Sequence, residues 1–171
     1  IGPTADPKPL SLANATTAQL VETLRHPTSL WRKHAQRLLV ERQAVDAIPA
    51  LLKLVADPSV DEIGLNAGAI HGLWTLHGLG AIQETHAEVM SAVLAALGHR
   101  SAGVRRNALQ VAVKNPSLIT AIEKQNLCYD SEPQVRLAAF LAMADCDPSF
   151  VDQWRMGSLL VAAMADPLNY P

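Results

Sequence analysis

The sequence predicts an all-α chain: a right-handed α–α superhelix of about four to five stacked helical hairpins. A repeated pattern, a set of helix caps and the composition carry that reading. Residues 98–112 read GHRSAGVRRNALQVA: a turn, then Val104-Arg105, then Ala108 and Ala112 at helical spacing. The same grammar returns in Asp130, Val135-Arg136, Ala139 and Met143, and His99 to Asp130 and Arg105 to Arg136 are both 31 positions. An earlier copy runs His26-Pro27, Arg32, Ala35, Leu39, and a stretched one Asp57-Pro58, Asn66, Ala69, Leu73. A fixed period of this size marks stacked units, none of which buries its apolar face alone. The 171 residues are 49% hydrophobic but only 4% aromatic, which suits helices packed through small side chains.

Taken in order, residues 1–15 carry Pro3, Pro7 and Pro9 with no initiator Met. They are expected to be a linker belonging to a longer polypeptide. Residues 16–171 then form the repeat domain, its last repeat incomplete. Thr16-x-x-Gln19 is a capping box opening the first helix, whose buried face is Leu20, Val21 and Leu24. His26-Pro27 ends it, since proline disfavours helix in the residue before it. A second helix spans about 30–42, with Trp31, Ala35, Leu38 and Leu39 as one apolar stripe. Asp46 is expected to cap the next helix, with Pro49 in its first turn, where a missing N–H costs little. Asp57-Pro58 stops that helix.

The second unit departs from the period. Asp57 to Asn66 is nine positions where His99 to Arg105 is six, so three residues are inserted, and Ser59-x-x-Glu62 offers a cap there. The following helix carries Ile70, Leu73, Trp74 and His77. Gly64, Gly68 and Gly72 recur every fourth residue. Each costs about 1 kcal/mol against Ala in a helix interior, so the row suggests a second backbone passing close. Gly78-Leu79-Gly80 is the expected stop. Thr85-x-x-Glu88 is expected to box the next helix, which ends at Gly98. Pro116-Ser117 opens a helix reaching Leu127, and Pro133 starts one through Met143. A last stretch runs from Asp147-Pro148 to Asp166-Pro167.

A net charge of −2 argues against a nucleic-acid or anionic-membrane partner held by a general field. No apolar run approaches the ~20 residues that span a bilayer. Cys128 and Cys146 fall at the ends of two antiparallel helices and are expected to be free, buried thiols, too far apart for a disulfide. Without CxxC or CxxCH, zinc-ribbon, thioredoxin and covalent-haem readings fail, and no cofactor or metal is expected.

These residues resemble HEAT repeats, an armadillo-like α-solenoid family: a hydrophobic first helix, an Asp-Pro-like turn, then Val-Arg-x-x-Ala opening a second. The resemblance covers 16 to about 167, and Asn66 departs from the Arg it expects. The phrases LVETLRHPTSLWRKHAQRLLVER (20–42) and GLWTLHGLGA (72–81) are similar to the HEAT segment of large bacterial multidomain proteins that also carry a propeller-type sugar-dehydrogenase-like domain and a cytochrome c domain. That resemblance implies a periplasmic or otherwise extracytoplasmic spacer or docking module.

Arg32, Arg105 and Arg136 share one repeat position. They are expected either to bond the turn Asp or carbonyls of a neighbouring unit, or to form a basic stripe for an acidic partner. Trp74 and His77 lie beside the insertion, and Trp is enriched at binding hot spots. Arg32, Trp74, His77, Arg105 and Arg136 are therefore the candidate partner-binding residues. His71 and His77, six apart, project from nearly opposite sides of a helix and do not make a metal pair. No paired general acid and base can be nominated. The expected function is a non-enzymatic scaffold that docks a protein or neighbouring domains of the same polypeptide, with neither nucleic-acid binding nor membrane insertion. The alternatives are a nucleic-acid-binding HEAT-like enzyme of the alkyl-base glycosylase type and a lyase-like module acting on a bound pigment.

Overall fold

The computed structural model describes residues 11–147 and, beyond them, 149, 157, 158 and 161. Between Thr17 and Ala144 the chain is eight α-helices and two 3-10 turns, with no strand among the described residues. The helices are α1 (Thr17–Thr23), α2 (Ser29–Glu41), α3 (Ile48–Val55), α4 (Ala67–Gly78), α5 (Ala87–Ala96), α6 (Ala102–Val111), α7 (Pro116–Lys124) and α8 (Pro133–Ala144). Most of the last helical stretch expected from the sequence, and most of the lead-in, lie outside the described residues; within that stretch 157, 158 and 161 are helical.

Helices α1 and α2, α3 and α4, and α5 and α6 pack as consecutive pairs. The even-numbered helices form a row, α2 on α4, α4 on α6 and α6 on α8, and α1, α3 and α5 follow one another behind it. The row is close because each even helix buries an alanine at one repeat position. Ala35, Ala69, Ala108 and Ala139 are all fully buried, each three residues after Arg32, Asn66, Arg105 or Arg136. Between the two rows lie Leu20, Leu24, Leu39, Leu51, Leu73, Leu76, Leu97 and Leu109. Non-directional burial of such aliphatic surface drives the packing.

The ends of the elements follow local chemistry, in part not where the sequence pointed. The Thr16 box forms in full: Gln19 N–H donates to Thr16 Oγ1 and Thr16 N–H to Gln19 Oε1. Asp46 does not cap α3; it lies inside a 3-10 turn, Val45–Ala47, that leads directly into the helix. Thr85 is not the cap of α5 either. His86 occupies that position, with its Nδ1 2.9 Å from Ala81 O. Ser59-x-x-Glu62 caps no helix; α4 starts only at Ala67, behind Asn66. Instead Asp61 Oδ1 accepts from the Ile63 and Leu65 amides and shapes the inserted loop. Asn115 caps α7 through its side chain, with Pro116 in the first turn. The chain also packs before the capping box: Leu12 is buried, and Arg42 donates to the carbonyls of Leu12, Ala13 and Ala15.

The glycines divide by role. Gly64 sits in the loop at φ +77°, and Gly80, at φ +67°, turns the chain after α4, a conformation that costs glycine no steric penalty. Gly68 and Gly72 lie on the α4 face that meets α3. A Cβ at Gly72 would stand 3.1 Å from Val55 Cγ2, and one at Gly68 3.1 Å from Leu54 Cδ1 and 3.2 Å from Arg25 Cγ. The close neighbours are thus side chains of α3 and Arg25, not a second backbone.

The fourth unit also differs from expectation. Helix α7 ends at Lys124, because Asn126 adopts a left-handed conformation (φ +53°). A 3-10 turn, Leu127–Tyr129, then packs on α8 where the end of a longer helix was expected. Both thiols are free and buried. The Cys128 thiol lies 3.7 Å from Met143 Sδ, near the C-terminal end of α8 and not its start. Burial first, and then Glu123, push its pKa up to about 11, so it is an inert packing thiol.

Replacing Ala108 or Ala139 with Glu is expected to melt the local pair of helices, because an unpaired charge in that seam costs several kcal/mol. A thermal midpoint equal to that of the unaltered chain would show that the row does not depend on these alanines.

Candidate partner-binding surface

The candidate arginines are built into the turns that join odd to even helices. Arg32 Nη1 donates to His26 O at 2.6 Å and Pro27 O at 2.8 Å. Arg105 Nη1 reaches His99 O at 2.8 Å and Arg100 O at 3.1 Å. Arg136 Nη1 reaches Asp130 O at 2.8 Å and Ser131 O at 3.3 Å. Each arginine therefore ties down two carbonyls of its own turn. Asn66, which breaks the Arg pattern, does the same with an amide: its Nδ2 donates to Asp57 O and Ser59 O, both at 2.9 Å. Its Oδ1 also accepts from Ala69 N–H and caps α4. The longer turn brings the carbonyls within reach of a shorter side chain.

The first residue of each turn mirrors this. His26 Nδ1, Asp57 Oδ1, His99 Nδ1 and Asp130 Oδ1 each accept from the amide two positions on. Side chains that bond their own backbone in this way stabilise turns. The histidine nitrogen concerned must be the unprotonated one.

Three contacts then join turn to turn. Arg25 Nη1 bonds Asp57 Oδ2 at 2.5 Å. His99 Nε2 lies 2.8 Å from Asp57 O. Arg105 grips Asp130 with both arms, Nε to Oδ2 and Nη2 to Oδ1, each 2.7 Å. The Arg105–Asp130 pair is well covered, at 15% and 8% side-chain exposure, so it is the firm link in the ladder. Burial pushes the Asp130 carboxyl up, yet the Arg105 hydrogen bonds and the Glu132 amide outweigh it and hold the group below its ordinary range. The Ser59 hydrogen bonds and then Arg25 bring Asp57 down to about 2.

Trp74 and His77 sit elsewhere, on the outer face of the even-numbered row. Trp74 is half-buried and its indole N–H donates to Asn107 Oδ1 at 2.7 Å, bridging α4 to α6. Asn107 is held in turn by Gly103 O at 2.6 Å. The His77 ring meets Trp74 edge-on, centroids 5.4 Å apart. Between α2 and α4 they wall a groove of about 380 Å³, whose other side is Lys33, Gln36, Arg37, Val40 and Glu41. The His71 ring bridges to Gln36 Oε1 at 2.6 Å. A second groove of about 300 Å³ lies between α6 and α8, lined by Arg106, Gln110, Leu137 and Leu141. Leu137 and Leu141 are more than half exposed.

Positive charge is concentrated on the even-numbered helices. The four even helices carry Arg32, Lys33, Arg37, Arg105, Arg106 and Arg136 against one carboxylate, Glu41. The odd helices are nearly balanced, with Glu22, Glu88 and Glu123 against Lys53 and Lys124, and Asp46, Asp61, Glu62 and Glu84 lie between helices. Sequence reading placed all three arginines together with Trp74 and His77. The structure puts the arginines at the turns and leaves Trp74 and His77 on the groove with Lys33 and Arg37. The i,i+4 spacing of Lys33 and Arg37 was a visible sign of that face.

Among the described residues no three His, Cys, Asp or Glu side chains converge in a way that could hold a metal, and no helix is long and apolar enough to cross a membrane. No family model, curated protein or solved structure matches the chain.

Two outcomes are expected. Asp130→Asn leaves the covered Arg105 fork facing a neutral group, and unfolding in denaturant should show a loss of about 2–4 kcal/mol; Arg105→Lys opposite the native Asp130 should lower stability too, because an ammonium lacks the fork. Burial, then the charges of Arg32 and Lys33, pull the His71 pKa from 6.5 down to about 4. The unfolded chain therefore binds the extra proton in that window. Stability should be level above pH 6.5 and fall as pH drops toward about 4, by about 1–2 kcal/mol once partial exposure is allowed for. His71→Gln should remove this slope in thermal melts; a slope unchanged in the variant would assign it to other groups.

Proposed function

We propose that this chain is a non-enzymatic helical-repeat scaffold, a HEAT-like right-handed α-solenoid, whose even-numbered helices dock a protein or a neighbouring domain of the same polypeptide. The observation that carries the reading is the groove between α2 and α4. Trp74 is anchored there by Asn107, with His77 packed on it and Lys33 and Arg37 opposite. A half-buried, hydrogen-bonded indole beside Lys33 and the Arg37–Glu41 pair has the make-up of a protein-binding hot spot. In this reading Arg32, Arg105 and Arg136 act indirectly: they hold the turns, and so the spacing of the even helices. The charge bias of that row favours an acidic partner surface and faster encounter with it.

The nucleic-acid reading draws on the same bias. Three of the six cations are committed to turn carbonyls, and Arg37 lies 3.3 Å from Glu41. The remaining excess is small for a track that must neutralise several phosphates.

The test pairs Trp74→Ala with Lys33→Glu, each assayed for thermal midpoint and for association with the flanking domains of the parent polypeptide. Lys33→Glu should weaken association at least tenfold while leaving the midpoint unchanged. If both variants leave association intact, with Trp74→Ala merely lowering the midpoint, Trp74 is a packing residue and the docking reading fails.

A further inference from the structure

The first and third units differ in one detail. Arg32 and Asp57 are separated by 25 positions, as are Arg105 and Asp130. In the third unit Arg105 satisfies its Nη1 with turn carbonyls and its Nε–Nη2 edge with both carboxylate oxygens of Asp130. In the first unit Arg32 uses Nη1 in the same way. The equivalent acid, however, meets a different cation, Arg25. Asp57 Oδ1 takes the Ser59 amide and Oδ2 takes Arg25. Arg32 Nε is left buried with no hydrogen-bond partner among the described residues. A buried donor without an acceptor costs about 1–3 kcal/mol, more when charged, so one of this kind calls for an explanation.

Beside it the inserted loop opens a cavity of about 580 Å³, bordered by Arg25, His26, Arg32, Asp61, Asn66 and Gly68. The inserted loop, shaped by Asp61, borders it on one side, and the Arg25 stem, whose Cγ would stand 3.2 Å from a Cβ at Gly68, borders it on another. The first turn of α4 borders the same space, adding the positive end of a helix to the guanidinium.

We propose that this cavity binds a carboxylate, which takes on Arg32 the place that Asp130 takes on Arg105. A planar monoanion matches the Nε–Nη2 edge through two parallel hydrogen bonds. The cavity already has Asp61 on its wall and Asp57 on Arg25, and this disfavours a phosphate dianion. The site is independent of the docking groove, which lies on the outer face of α2 and α4.

The test is nuclear magnetic resonance titration of the 171-residue chain at constant ionic strength. The probes are acetate, inorganic phosphate and a short peptide with one glutamate, with chloride as the reference. Acetate should give a saturable shift of the Arg32 Nε–H resonance and of the Ala67 and Gly68 amides. Arg25→Gln frees Asp57 to fill the Arg32 fork internally, and should abolish the response with Arg32 still present. Arg32→Gln should abolish it too; should that variant unfold, the Nε–H resonance of the unaltered chain and the Arg25→Gln result still decide. Tighter binding of the peptide than of acetate at the same resonances supports an acidic side chain as the source, and equal binding supports a small free acid. Phosphate binding more tightly than acetate, or no saturable shift with any probe, overturns the proposal.

Discussion

Each joint between an odd helix and the even helix after it depends on one interaction: a side chain six to nine residues into the unit donates two hydrogen bonds to the carbonyls of its own turn. Arg32, Arg105 and Arg136 make it with a guanidinium arm and Asn66 with an amide. Turn carbonyls at the end of a helix have no intrahelical partner, and these donors satisfy them while fixing where the next helix begins. The acceptor at the head of each turn closes the same loop from the other side. Because the joint is fixed, the alanine three positions later falls at the seam each time, and the even helices can lie close together.

Two kinds of work are thus separated within one guanidinium. One arm builds the unit, and the other edge is free to reach beyond it. In Arg105 that edge links the third unit to the fourth through Asp130. The first unit makes its link through Arg25, a residue just ahead of the turn, and Arg32 borders a cavity beside the insertion of the second unit. A small irregularity in loop length changes which groups meet without changing the core, since side chains on the loop carry little of the burial that holds the helices.

The groove between α2 and α4 depends on the same regularity. Trp74, His77, Lys33 and Arg37 come from helices separated in sequence, and they share a groove because α2 and α4 lie side by side. Asn107 of α6 fixes the indole, so three units contribute to one wall. Lys114, whose Nζ bonds the carbonyls of Leu109 and Ala112 at the end of α6, illustrates a further economy: its burial lowers its pKa even against the pull of Asp145, and the cation is spent closing a helix.

The all-α character, the approximate position of the helices, the alanine seam and the Thr16 box were legible in the sequence, because period, caps and small residues act over a few neighbouring positions. Local signals misled where an alternative of similar local merit was chosen by packing: Asp46 and Thr85 do not cap, Asp61 instead of Ser59 shapes the insertion, and Asn126 ends α7 early. The arginine position was visible, but the choice between ladder and open stripe depends on carbonyls whose direction no sequence pattern records. Whether Asp57 meets Arg25 or Arg32 is a contest between two cations at different distances along the chain. Arg25 takes it with its stem lying against Gly68, an approach that exists only once α4 has been laid against α3.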